Sequence, residues 1–246
     1  MTKRLAWVAL LGIGLTCPAG ANEDAEFSAL RGQMVEAIRD YAQLIHEIEG
    51  VPEVDGPVLE VMARVPRHRF VPEPLRPLAY HNRPLPVGQG QNIAQPYLIA
   101  LMTSLARVTP SDIVFETGTG AGYHAAVLAE LASRVYSVEV VDGLAIRAAR
   151  VLGELGYHNV ETRIGDGYFG WPEKGPFDVI IVKEAIDHVP PPLLKQLKPG
   201  GRLVAPVGPL RDRQSLTLIE KDANGGITTT QILEVRFTPL QGGQRI

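Results

Sequence analysis

The stretch VFETGTGAGYHAAVLAE, from Val114 to Glu130, decides the fold. A short apolar run ends in an acid, a glycine triplet follows, and a helix-like segment comes next. A strand–turn–helix of this kind cradles a nucleotide-like ligand. Its glycines let the backbone approach closely, and the helix N-terminus offers free N–H groups.

The spacing of the glycines narrows the ligand. The dinucleotide fingerprint is G-x-G-x-x-G, but here Gly118, Gly120 and Gly122 fall at every second position, and Tyr123 stands where the third glycine of that fingerprint would be. Glu116 lies two residues before the first glycine, badly placed beside a pyrophosphate and well placed near an ammonium group. The pattern E-x-G-x-G-x-G therefore favours S-adenosylmethionine, which carries an amino group and a sulfonium but no phosphate. Glu139, about twenty residues after the glycines, is placed to accept both ribose hydroxyls. Asp166, followed by Gly167, is placed to accept from the adenine amino group. Each acid alone could be a helix cap. Three of them at three successive strand ends point to one cofactor cleft, lined also by Thr119 and Tyr123.

Working outward, the core reads as alternating strands and helices. Strands are predicted over 113–116, 135–139, 160–164, 177–182 and 202–207, and helices over 123–132, 142–155 and 189–197. A terminal hairpin pairs 215–220 with 227–237 across an Asp-Ala-Asn-Gly-Gly turn. This order implies an α/β fold, a doubly wound and mostly parallel sheet with an antiparallel hairpin at its end. Ahead of it, apolar residues at helical spacing (Leu30, Met34, Ile38, Tyr41, Leu44, Ile45, Ile48) predict an amphipathic helix over 27–48. Further helices are predicted from Pro57 to about Arg64 and over 95–108. The Pro- and Gly-rich stretch between Pro66 and Pro96 reads as irregular structure of the kind that carries function. The expected organisation is a leader (1–21), a helical and loop region covering the site (22–109) and the ligand-binding core (110–246).

Composition sets limits on partners. The net charge of the 246-residue chain is −3, and Lys and Arg form no run longer than a pair. A nucleic-acid partner would leave a basic stripe, so none is expected. Lys3 and Arg4 precede an apolar run from Leu5 to Leu15, and Ala19-Gly20-Ala21 fits a small-x-small cleavage pattern. That is the layout of a secretory signal peptide, too short for a comfortable transmembrane helix. An exported, periplasmic or secreted protein is expected, free of the membrane after cleavage. Cys17 is the one cysteine, so cleavage after Ala21 leaves none for disulfides, thiolate chemistry or zinc. His68, His81, His124, His158 and His188 show no metal-ligand spacing, and no metal is expected. Trp171 reads as packing.

The chain also resembles the protein-L-isoaspartate O-methyltransferase family from about Val58 to Gly243. The resemblance rests on RVPRHRFVP (64–72), RPLPVGQGQ (83–91), ETGTGAGY (116–123), GDGY (165–168), LKPGGRLV (197–204) and VRFTPLQGG (235–243). It implies methyl transfer from S-adenosylmethionine to the free α-carboxylate of an L-isoaspartyl residue in a protein or peptide. By the same resemblance Gln91, Asn92 and Ile93 cover the cofactor, and Thr238 and Leu240 help wall the acceptor pocket. A monomer is expected.

Two positions depart from the family pattern. Ala94 stands where the family carries a Ser or Thr hydroxyl that is catalytic or binds carboxylate. Lys183 and Glu184 stand where the family has Thr and small residues, and form a charged pair expected at the acceptor's mouth. Drift at tolerant positions would explain both, as would an acceptor changed to a dedicated peptide or a small molecule. A non-catalytic exported relative that only binds the cofactor is a third reading, favoured by the missing hydroxyl and opposed by the intact acids.

Overall fold

The computed structural model describes residues 19–242. Most of the expected signal peptide (1–18), with Cys17, and the last residues (243–246) lie outside them. Helix α1 (Ala19–Glu49) buries Phe27, Met34, Val35, Ile38 and Ala42 along one stripe. The predicted stripe extends further than the real one, because Tyr41, Leu44 and Ile48 stay exposed. Helix α2 (Gly56–Met62) follows, started by Pro57, whose fixed φ and missing N–H suit a first turn.

The stretch expected to be irregular holds more order than its composition suggests. Two short 3-10 helices, Arg67–Phe70 and Glu73–Leu78, lead into an antiparallel hairpin of β1 (Leu85–Gly88) and β2 (Gln91–Ile93). Gly88, Gln89 and Gly90 turn it with φ of 91°, 53° and 70°, so two of three left-handed positions fall on glycine. Helix α3 (Pro96–Ala106) is buried on nearly all sides.

The core is a seven-stranded sheet. Its strands are β3 (Ile113–Thr117), β4 (Arg134–Glu139), β5 (Val160–Ile164), β6 (Phe177–Ile181), β7 (Leu197–Val207), β8 (Gln214–Lys221) and β9 (Ile227–Val235), in the order β5-β4-β3-β6-β7-β8-β9. The first five pair in parallel, and β7, β8 and β9 pair antiparallel. Helices α4 (Tyr123–Ala129), α5 (Asp142–Glu154) and α6 (Pro191–Gln196) make the crossovers. Alternation along β3 sends Val114 into the larger apolar cluster, with α1, α2, α3 and α4, and Phe115 into the smaller one around Phe177, Leu193 and Trp171. Trp171 packs as expected, under Arg163 and edge-on to Tyr136.

Two predicted boundaries differ most: helix α1 begins at Ala19, ahead of the predicted start at 27, and strand β7 begins ahead of its predicted start at 202. Strand β7 begins at Leu197, which pairs with Phe177, and the Pro-Gly-Gly sequence lies inside the strand at an irregularity of register. The order in which strands are added reverses at β3, with β4 on one side and β6 on the other. In an open α/β sheet the crevice at such a switch point is where ligands bind.

Candidate active site

A cleft of about 530 Å³ opens there, at the C-terminal ends of β3, β4 and β6. Its floor is the glycine loop, with Gly118, Gly120 and Gly122 at φ of 59°, 57° and 92°. Gly122 caps α4, and a Cβ on it would press on Leu152 and Ala148 at 3.3–3.4 Å. Gln91, Asn92, Ile93, Ala94, Thr119, Tyr123, Glu139, Gly167, Lys183, Glu184, Thr238 and Leu240 all reach the cleft. Residues from 91 to 240 are thus gathered round one loop.

Under the loop runs a chain of polar groups. The Ser137 hydroxyl donates to Glu116 Oε1 at 2.7 Å. With its proton so committed, Ser137 accepts from the Thr119 hydroxyl at 2.6 Å. Glu116 Oε2 meets Lys183 Nζ at 2.7 Å. Glu116 is fully buried, and burial raises its pKa against the opposing effects of Lys183 and Ser137. Glu139 ends β4 and ties the loop down, accepting from Gly120 N at 2.7 Å and Val141 N at 2.9 Å. A carboxylate has about four acceptor sites, so each oxygen of Glu139 keeps one for a ligand hydroxyl.

Lys183 and Glu184 are turned inward from the mouth where the sequence placed them. Lys183 reaches beneath the glycine loop to Glu116. Glu184 Oε2 accepts from the Thr117 hydroxyl at 2.5 Å, and Oε1 lies so close over Gly118 that a Cβ there would overlap it. The Glu184 pKa is pushed up to about 7, chiefly by burial. The loop carrying both is pinned from the other side: Ala185 N donates to Thr238 O and Leu240 N to Ala185 O, each at 2.9 Å. Leu240 is buried there and Thr238 exposed.

Asp166 caps the 3-10 turn Gly167–Phe169 through Tyr168 N, at 2.9 Å, and its carboxylate lies against Gly242. Gly167 packs on Thr117, where a Cβ would come within 2.7–2.9 Å of its side chain. The approach of these two loops therefore requires a glycine at 167.

Arg67 escaped the sequence as a site residue, and His124 was read there only among histidines without metal-ligand spacing. Arg67, fully buried, donates to Ala79 O at 2.8 Å and to Ala94 O at 2.7 Å, over the face of Tyr123 at 4.8 Å. Burial lowers its pKa to about 10, which still leaves it charged at neutral pH. Its only sequence signal was its place inside RVPRHRFVP. His124 lies buried on the cleft wall, 2.9 Å from the Thr103 hydroxyl. Burial and Lys183 hold its pKa well below the usual histidine value, so it is neutral. Among the described residues no group of three or more His, Cys, Asp or Glu side chains could hold a metal ion.

The family profile of protein-L-isoaspartate(D-aspartate) O-methyltransferase matches residues 41–245. The chain belongs to that family. It is 50% identical over 236 residues to protein-L-isoaspartate O-methyltransferase 2 of Syntrophobacter fumaroxidans, covering 96% of this chain and 95% of that one. Protein-L-isoaspartate O-methyltransferase 1 of Nitrosospira multiformis is also 50% identical, over 97% of each chain. A solved protein-L-isoaspartate O-methyltransferase aligns with a TM-score of 0.74 and 29% identity. The alignment takes in 86% of this chain and 66% of that one, so this chain spans just under two thirds of that protein. A Plasmodium falciparum structure described as a putative member, in complex with S-adenosyl-L-homocysteine, aligns at 21% identity with a TM-score of 0.67 and shows the shared fold. The α/β architecture with its mostly parallel sheet is thus the family's own.

Proposed function

We propose that the protein transfers a methyl group from S-adenosylmethionine to the free carboxylate of L-isoaspartyl residues in proteins or peptides, as a repair enzyme. One observation carries the reading. In a chain of this family, the switch-point cleft holds the glycine loop braced by Glu139, the Glu116 network beneath it, and the 91–94 and 238–240 segments as walls. When bound, the cofactor supplies a methyl carbon already activated on a sulfonium. The acceptor carboxylate is nucleophilic when ionised, so the protein needs no strong base. Its task is alignment of oxygen, methyl carbon and sulfur, at near-attack distances of roughly 3 Å. Glu139 is suited to the ribose hydroxyls, the loop N–H groups and the start of α4 to the methionine end, and the 91–93 strand to excluding water. Transfer of labelled methyl to an isoaspartyl peptide, against its aspartyl twin, tests this.

Export belongs to the same proposal, supported by Lys3, Arg4, the Leu5–Leu15 run and Ala19-Gly20-Ala21. N-terminal sequencing of native protein should begin near Asn22. An intact N-terminus in a soluble cytoplasmic fraction would refute it. A monomer is proposed as well, with sedimentation as its check.

A further inference from the structure

The sequence pattern gave Glu116 to a ligand ammonium, yet the structure closes that route. Glu116 has no exposed surface, and its two oxygens are engaged by Ser137 and by the Lys183 ammonium. A cationic ligand could reach it only by displacing Lys183 and leaving that largely buried ammonium unpaired.

One other carboxylate lies on the cleft side of the first glycine. Glu184 sits over Gly118 with a single hydrogen bond, from Thr117, and it lines the cleft. Among the described residues it forms no ion pair, and its neighbour Lys183 is committed to Glu116. Its charged surroundings are Lys183 from its own loop, Glu116 from β3 and Glu139 from β4, two acids against one base. Burial first, and the two neighbouring acids after it, hold its carboxyl up to about 7.

We infer that Glu184, rather than Glu116, is the carboxylate that holds the amino group at the methionine end of the cofactor, and that Lys183 is the internal cation that keeps Glu116 neutralised beneath it. The inference rests on the cofactor reading above. The Lys183-Glu184 departure then concerns how the cofactor is held, and leaves the acceptor pocket to Ala94 and the 238–240 segment.

The test is calorimetry with two probes, S-adenosylhomocysteine and its analogue lacking the amino group, on the full mature chain. The wild type should prefer the amine-bearing probe by roughly ten- to a hundredfold, the range of a charge-assisted hydrogen-bonded pair. Glu184→Gln should lose most of that preference while binding the deaminated probe about as well as the wild type does. Glu184→Asp, which withdraws the charge by one methylene, should keep a reduced preference and serves if the glutamine variant does not fold. Equal affinities in the wild type, or the full preference retained in either variant, would overturn the assignment. Binding of neither probe by folded wild type would strike the cofactor reading itself.

Discussion

At the scale of single residues, the site is a set of decisions about where protons and charges are kept. Ala94 presents no hydroxyl, and its carbonyl is held by Arg67. If acceptor positioning suffers from the missing hydroxyl, Ala94→Ser should raise the turnover on isoaspartyl peptides about ten- to a hundredfold, with little change in cofactor affinity. That corresponds to on the order of 1–3 kcal/mol from one hydrogen bond strengthened in the transition state. Steady-state kinetics that show the gain in KM alone, or no gain, would contradict it. Glu139→Ala should weaken S-adenosylhomocysteine binding by about 1–3 kcal/mol by calorimetry, since its carboxylate holds the glycine loop and lines the cleft. Glu184 sets a pH dependence. Its folded-state pKa of about 7 lies above the ordinary 4.5, so between those values the folded state binds more protons than the unfolded one. Stability from this group is therefore present at low pH and lost as pH rises toward 7. Urea melts of cofactor-free wild type and Glu184→Gln should show the variant gaining on the wild type by on the order of 2–3 kcal/mol from pH 4.5 to 7. A constant difference across that range would contradict the assignment of a raised carboxyl.

At the scale of elements, the glycine loop and its flanking strand and helix were legible because their chemistry is local. Gly118, Gly120 and Gly122 need left-handed or crowded backbone, and β3 and α4 follow from periodicities of two and 3.6. What was not legible is chemistry carried by long contacts. Lys183 meets Glu116 across 67 residues of chain, and no local pattern marks one as the other's partner. The β1–β2 hairpin hid in a Pro- and Gly-rich stretch because its order comes from burial of Leu85, Val87 and Ile93 and from a buried arginine behind it. That arginine gives the element a test. Arg67→Met removes the donors to Ala79 and Ala94 and leaves two carbonyls short of partners, so it should cost about 2–4 kcal/mol in urea unfolding. Amide exchange at 91–94 should quicken more than in the sheet. Unchanged exchange there would mean that α3 and the C-terminal segment, not Arg67, hold the cover.

At the scale of the whole molecule, one topological reversal does most of the positioning. Because β4 and β6 flank β3 on opposite sides, the chain ends of three parallel strands converge on one crevice. The antiparallel β8–β9 pair then returns the C-terminal segment to Ala185, so two segments far apart in the chain, 91–94 and 238–240, both line the cleft. A mostly parallel sheet with a terminal hairpin was readable from alternating apolar runs, whereas the spatial order of its strands comes from the structure. The closure was legible only through the family resemblance, which put 91–93 and 238–240 at the site, because no local pattern shows where the 238–240 segment docks. The decisive measurement is methyl transfer by the purified protein from labelled S-adenosylmethionine to a peptide carrying L-isoaspartate, beside the same peptide with normal aspartate. Transfer to the isoaspartyl peptide and none to its twin is expected, with the rate raised by Ala94→Ser. No transfer to the isoaspartyl peptide by folded protein that binds S-adenosylhomocysteine would contradict it.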